Sequence, residues 1–80
     1  MPDITVYWRP LCGYCEVLKR ELDRRGLEYS SVDIWRNRQQ AEVVKAVNHG
    51  DELVPTVRVN GRFLVNPSIE ALVEAVERSA

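Results

Sequence analysis

Two cysteines separated by two residues are the most informative chemical feature of this 80-residue chain. Cys12 and Cys15 are its only cysteines, and Cys12-Gly13-Tyr14-Cys15 lies between a short apolar strand and an amphipathic helix. This layout is typical of a thiol–disulfide redox centre. The free N–H groups and the positive dipole end of the helix stabilise a thiolate at Cys12, and a thiolate is the nucleophile in disulfide exchange.

The two sulfurs are expected to have different roles. Cys12 precedes the helix, where it can be exposed and face the first-turn N–H groups, so it is the predicted nucleophile. Cys15 lies one turn inside the helix on its apolar side and should be less exposed. It either resolves a mixed disulfide within the protein or remains a bystander while a second small thiol attacks at Cys12.

Residues beside the cysteines are candidate substrate contacts. Arg9 could place a positive charge near the sulfur of Cys12, and such a charge lowers the pKa of a thiol. Gly13 lets a ligand approach the helix start and retains an N–H that proline would lack. Tyr14 could cover the cleft and offer a hydroxyl group to the substrate.

Composition narrows the class of protein. The chain is 45% hydrophobic and 29% charged with a formal net charge of −1, so a nucleic-acid-binding role is not expected. The Met1-Pro2-Asp3 start lacks the features of a secretory signal, and no apolar run is long enough for a membrane span. A cytoplasmic protein is therefore expected, in which a cysteine pair is catalytic rather than structural. One histidine and two cysteines fall short of a structural zinc site, so no metal is expected.

Hydrophobic periodicity and turn signals predict seven elements in a single domain of residues 1–80. An Asn60-Gly61 pair between two short β-forming runs predicts a tight hairpin. Asn66 is the predicted cap of the last helix, and Pro67 its first residue. In the first helix, Val17 is expected to widen the apolar stripe. The predicted strands are Ile4–Trp8, 28–34, Thr56–Val59 and Arg62–Val65; the predicted helices are 13–25, Arg38–Val47 and one that opens at Pro67.

The order β-α-β-α-β-β-α predicts an α/β fold with a mixed four-stranded sheet and three helices. The first β-α-β unit should be parallel with a right-handed crossover, and the hairpin must be antiparallel. Periodicity alone leaves open the order of the strands and the face that each helix covers.

With these features, the chain resembles the glutaredoxins of the thioredoxin fold from end to end. The resemblance rests on the Cys12–Cys15 motif at the helix start, Val54-Pro55 before the third strand, the hairpin and the final helix. Within the family it looks most like the mycoredoxins, which work with the small thiol mycothiol. That closer likeness rests on Cys-Gly-Tyr-Cys, on Val47-Asn48 before Val54-Pro55, and on Asn66-Pro67-Ser68.

The resemblance implies a central first strand, an antiparallel third strand, and a cis Val54–Pro55 peptide beside Cys12. The backbone of Val54 would then pair with a passing thiol compound like an added strand.

Departures from the usual glutaredoxin pattern bear on the substrate. Asn66-Pro67-Ser68 replaces a glycine-rich segment that holds glutathione, and Asp51-Glu52 replaces basic residues before Val-Pro. Acidic groups near the cleft would repel the carboxylates of glutathione. Asn66 and Ser68 would instead offer hydrogen-bond partners to the sugar of mycothiol.

The leading interpretation is a monothiol reductase of protein–mycothiol mixed disulfides, with Cys15 as a second redox thiol. Its partners would be the low-molecular-weight thiol and thiolated or disulfide client proteins, with no tightly bound cofactor and the protein acting as a monomer. The alternative is a dithiol electron donor reduced by thioredoxin reductase, for example to ribonucleotide reductase. A third interpretation is a carrier in which two subunits share an iron–sulfur cluster.

Overall fold

A computed structural model describes residues 3–78; Met1 and Pro2, which belong to the expectation about the N-terminus, lie outside them. The element order is β-α-β-α-β-β-α, as predicted. The elements are β1 (Ile4–Trp8), α1 (Gly13–Arg24), β2 (Ser30–Asp33), α2 (Arg38–Val47), β3 (Thr56–Val59), β4 (Arg62–Val65) and α3 (Ile69–Arg78).

The four strands form one mixed sheet in the order β2-β1-β3-β4. β1 pairs with β2 in parallel and with β3 in antiparallel, so β1 is interior. The β3–β4 hairpin turns at Asn60 and Gly61, whose φ angles of 49° and 87° are those that a type I′ turn requires. The predicted fold, including the central first strand, is confirmed.

The sheet has an apolar core on each face. Alternation along β1 sends Val6 to one face and Tyr7 to the other, because successive strand side chains point in opposite directions. The larger core joins the sheet to α1 and α3 through Ile4, Val6, Leu18, Leu22, Val57, Val59 and Leu72. The smaller core joins it to α2 through Tyr7, Ile34, Ala41 and Val44.

Gly26 ends α1 with a backbone conformation that favours glycine. Gly26 adopts a φ of 68°, and the Leu27 N–H donates to the Leu22 carbonyl oxygen at 3.1 Å while the Gly26 N–H donates to that of Asp23 at 3.1 Å. This pair of bonds is the Schellman motif, which satisfies the last carbonyl groups of a helix. It turns the chain back toward the sheet so that β2 can lie beside β1.

Three local predictions are wrong. The second strand is limited to Ser30–Asp33, because this edge strand is paired only where it meets β1. The last helix begins at Ile69 rather than at Pro67, and its cap is Ser68, whose Oγ accepts a 3.1 Å hydrogen bond from the Ala71 N–H. Val17 is 55% exposed, because no element of the described chain covers its side of α1.

Candidate active site

The cysteine pair lies where β1 leads into α1. Cys12 is the N-cap of α1, and its Sγ accepts a 3.2 Å hydrogen bond from the Cys15 N–H. The two sulfurs are joined in a disulfide, with 5.3 Å between the Cα atoms. Cys12 is 7% exposed and Cys15 0%, so the predicted difference holds, although Cys12 is more covered than its place before the helix predicts. The first-turn N–H contact is the interaction that stabilises negative charge on a sulfur at this position.

The Val54–Pro55 segment faces the first cysteine. Its peptide bond is cis, which confirms the expectation drawn from the family resemblance. Cys12 Sγ lies 4.0 Å from the Val54 carbonyl oxygen. The Thr56 hydroxyl donates to the Leu53 carbonyl oxygen at 2.7 Å, and the buried Asn48 amide donates to Thr56 Oγ1 at 3.3 Å. The end of α2 therefore anchors the segment that lies against the sulfur.

A groove of about 640 Å³ runs along α1 and the start of α3. It brings together four of the predicted substrate contacts, Gly13, Tyr14, Asn66 and Ser68. Tyr14 is 72% exposed, and a Cβ placed on Gly13 would meet no atom within 4 Å, so this end of α1 is open to a ligand.

Five further residues line this groove and were not predicted as contacts: Val17, Leu18, Glu21, Pro67 and Ile69. Those on α1 follow Gly13 and Tyr14 at spacings of three or four residues, which places them on one helical face. That periodicity could have identified them from the sequence.

Arg9 lies outside the groove-lining set. Its Nη1 donates to the carbonyl oxygens of Pro10, at 2.9 Å, and Leu11, at 3.2 Å. Its guanidinium lies over the ring of Trp35, 5.5 Å from the ring centre. A direct effect of its charge on the sulfur of Cys12 stays a prediction.

Glu52, one of the two acidic residues expected to repel glutathione, is paired with cations of α2. Arg38 holds its carboxylate with two hydrogen bonds of 2.9 and 2.8 Å, and Lys45 Nζ lies 3.7 Å away. The hydrogen bonds from Arg38 lower the pKa of Glu52 below its usual value. Its charge is therefore largely neutralised by α2, while the neighbouring Asp51 is exposed.

Trp8 is a packing residue. It is half-buried beside the larger core, its Nε1–H donates to Ser31 Oγ at 2.6 Å, and Lys19 Nζ lies 3.5 Å from its ring centre.

Within residues 3–78, no group of three or more His, Cys, Asp or Glu side chains is placed to hold a metal ion. No helix of that same stretch has the length and apolar character needed to cross a membrane.

The chain matches known redox proteins in sequence. The glutaredoxin family model matches residues 4–64. Mycoredoxin 1 of Corynebacterium glutamicum is 36% identical over 81 residues, covering 100% of both chains. A Mycobacterium tuberculosis protein whose name assigns it to the glutaredoxins is 44% identical over 68 residues, covering 84% of this chain and 81% of its own.

Solved structures share the fold. The glutaredoxin-like NrdH-redoxin from Escherichia coli superposes with a TM-score of 0.69 at 27% identity, covering 79% of this chain and 80% of its own. A glutaredoxin from Archaeoglobus fulgidus reaches a TM-score of 0.78 at 20% identity over 95% of this chain and 87% of its own. The second likeness is one of fold alone.

Proposed function

The chain belongs to the glutaredoxin family of thiol–disulfide oxidoreductases, and from that membership we propose that it reduces protein–mycothiol mixed disulfides through Cys12. The observation that carries the proposal is the position of the Cys12 sulfur. It caps α1 and faces the Val54 carbonyl group, close to an open groove that has no cationic side chain among its described lining residues. The full-length match to a mycoredoxin supports the same thiol.

The first step is attack on the mixed disulfide. The Cys12 thiolate attacks the mycothiol sulfur, the bond between that sulfur and the client breaks, and the client leaves as a thiolate that takes up a proton. Cys12 is then joined to mycothiol. The N–H groups of the first turn of α1 stabilise the thiolate before the attack and again when it leaves in the second step.

A second mycothiol completes the cycle. Its thiolate attacks the sulfur of the bound mycothiol, the disulfide of two mycothiols forms, and Cys12 leaves as a thiolate. No electron carrier beyond the two thiols is needed for this balance. Cys15 is a second redox thiol that can displace mycothiol by forming the Cys12–Cys15 disulfide, which is the form seen in the structure.

The groove suits an uncharged, hydroxyl-rich thiol. The Ser68 Oγ accepts from the Ala71 N–H, so its own hydroxyl hydrogen can be donated to a sugar oxygen. Tyr14 and Asn66 add an exposed phenol and an exposed amide at the same groove. Glutathione carries two carboxylates, and none of the described lining residues is cationic; the one acidic residue among them, Glu21, is paired with Arg24 at 3.1 Å. The groove therefore supports mycothiol over glutathione, even though Glu52 is paired and contributes little to the selectivity.

We further propose that Gly13, Val54 and Pro55 hold the cysteine end of mycothiol. The N–H of Gly13 lies at the open helix start, and the carbonyl group of Val54 faces the sulfur. The chain would act as a monomeric domain of residues 1–80 in the cytoplasm, with mycothiol as cosubstrate and no tightly bound cofactor.

A dithiol electron donor is the second candidate. It is supported by 27% identity to NrdH-redoxin over about four-fifths of each chain, and by sulfurs placed close enough to form a disulfide. Here Cys15 would be indispensable, because each cycle would end with the Cys12–Cys15 disulfide.

A comparison of electron donors tests the proposal. One disulfide substrate is reduced with mycothiol and its reductase, with glutathione and its reductase, or with thioredoxin reductase, using wild type, Cys15→Ser and Cys12→Ser proteins. We expect turnover with mycothiol that survives in Cys15→Ser and disappears in Cys12→Ser. Turnover only with thioredoxin reductase, lost in Cys15→Ser, would instead establish the dithiol donor, and equal turnover with glutathione would refute the proposed selectivity.

A further inference from the structure

Leu11, the residue before the first cysteine, has a backbone conformation that leucine disfavours. Its φ is 62°, in the left-handed region. The other non-glycine residues with positive φ among residues 3–78 are asparagine or histidine, types that adopt this region more readily. Leu11 is also 90% exposed, so burial of its side chain does not stabilise the conformation.

One side chain holds the peptide groups on both sides of Leu11. The Arg9 Nη1 donates to the Pro10 carbonyl oxygen at 2.9 Å and to the Leu11 carbonyl oxygen at 3.2 Å. The first carbonyl belongs to the peptide before the Leu11 Cα atom and the second to the peptide after it. Fixing both peptide planes fixes the φ and ψ angles between them, because these are the only soft backbone angles of the residue.

The guanidinium also contacts an aromatic ring from another part of the chain. It lies over the Trp35 ring at 5.5 Å, a distance suited to cation–π attraction. The backbone N–H of Trp35 donates to Asp33 Oδ1 at 2.9 Å, at the end of β2. The Arg9 side chain therefore connects the loop before Cys12 to the segment that follows the edge strand.

We propose that Arg9 is a positioning residue that clamps Leu11 in the left-handed conformation and thereby sets the Cys12 sulfur at the start of α1. The peptide joining Leu11 to Cys12 contains one of the two carbonyl groups that Arg9 holds, so its orientation determines the direction in which Cys12 enters the helix. Without the clamp, leucine prefers negative φ by a factor of about 5 to 30. The role is independent of which thiol compound is the cosubstrate.

The reactivity of the reduced sulfur tests the clamp. In a Cys15→Ser background, the rate of Cys12 alkylation by iodoacetamide is measured against pH, which gives the rate constant and the apparent pKa of the thiol. The variants are Arg9→Met, Leu11→Ile, Leu11→Asn and the double variant Arg9→Met with Leu11→Asn. Leu11→Ile keeps the size and apolarity of an exposed side chain but resists positive φ more strongly, while asparagine tolerates it.

We expect Arg9→Met to raise the apparent pKa of Cys12 and to slow its alkylation near pH 6 by about 5- to 30-fold, the factor set by the preference of unclamped leucine. Leu11→Ile should change both quantities in the same direction, because a β-branched residue resists positive φ more strongly. Leu11→Asn alone should react like the parent protein. In the double variant, asparagine should restore most of the rate that Arg9→Met loses, although the positive charge is still absent. Circular dichroism of each variant verifies that the helices are retained.

Two results would overturn the proposal. If Arg9→Met slows alkylation, Leu11→Ile does not, and asparagine restores nothing, then Arg9 acts through its charge alone. If Arg9→Met reacts like the parent protein, then neither the clamp nor the charge sets the state of Cys12. Leu11→Ile keeps the test decisive even if Arg9→Met fails to fold, because that exposed substitution leaves Arg9 in place.

Discussion

The Asn66 N–H donates a 2.7 Å hydrogen bond to the carbonyl oxygen of Pro55. This bond ties the start of the last helical segment to the cis peptide segment that faces Cys12. Asn66, whose backbone N–H is the donor of this bond, has a positive φ of 45°. The groove beside α3 and the backbone beside the sulfur are therefore one connected structure, and a ligand that bridges them meets two surfaces already fixed in relation to each other.

Substitutions of Asn66 can separate its backbone role from its side-chain role. Asn66→Gly should retain the stability of the fold, because glycine adopts positive φ readily. Asn66→Val should lower the free energy of unfolding by about 1–2 kcal/mol, because a β-branched residue disfavours that region. Urea unfolding measures both. In the glycine variant, an increased KM for the mycothiol mixed disulfide would then report the amide side chain alone, whereas an unchanged KM would remove Asn66 from the proposed binding site.

The hydroxyl of Ser68 should stabilise α3 as its cap. Ser68→Ala is expected to lower the free energy of unfolding by about 1 kcal/mol, because the Ala71 N–H loses its acceptor. Ser68→Asp restores an acceptor at the same position and should retain the stability. If thermal or urea unfolding shows no difference between Ser68→Ala and wild type, then Ser68 is not the cap.

Truncation of two residues of α1 should change the stability of the protein by very different amounts. Leu22 is fully buried in the larger core, so Leu22→Ala should cost about 2–5 kcal/mol of unfolding free energy. Val17 lies on the exposed side of the same helix, and Val17→Ala should change stability by less than about 0.5 kcal/mol. Equal losses in chemical denaturation would mean that Val17 is covered in solution.

The Arg38–Glu52 pair should make stability depend on acid pH. The hydrogen bonds from Arg38 lower the pKa of Glu52 below its usual value, so the folded state favours the charged carboxylate. The resulting stabilisation is complete above the pKa of the unfolded chain and is lost as the pH falls through the lower pKa of the folded state. The stability difference between wild type and Glu52→Gln should therefore be present at neutral pH and shrink on acidification.

Salt provides the control for that pair. Both side chains are partly exposed, so high ionic strength should reduce the difference between wild type and Glu52→Gln. Asp51→Asn, an exposed neighbour, is the matched substitution and should show little such dependence. A stability difference that stays constant from neutral to acid pH would show that the pair contributes nothing through its charge.

Local signals predicted most of the elements. The Asn60-Gly61 turn acts through the conformations of its own residues, so β3 and β4 have the predicted bounds, and α2 also has its predicted bounds. The strand order could not be obtained from periodicity, because alternation identifies the two faces of a strand but not its neighbours. That part of the fold came from the family resemblance.

The wrong predictions involve partners distant in sequence. Asparagine is a residue type that often caps helices, but the backbone N–H of Asn66 donates to Pro55 instead. Ser68 is the residue that caps α3. Glu52 suggested a free acid until the fold brought it to Arg38, fourteen residues away. The apolar character of Val17 gave no information about whether another element would cover it. Residue type fixed the candidates in each case, and tertiary contacts fixed their roles.

The interior place of β1 in the sheet also bears on how the molecule opens. The strand that leads to Cys12 is hydrogen-bonded on both sides, whereas β2 and β4 are the edges. Local opening draws on the least supported elements, so the edges should fray while β1 stays paired. Amide hydrogens of β1 are thus expected to exchange with solvent among the slowest in the chain. The protein can therefore fluctuate at the edges of its sheet without disturbing the strand that leads to Cys12.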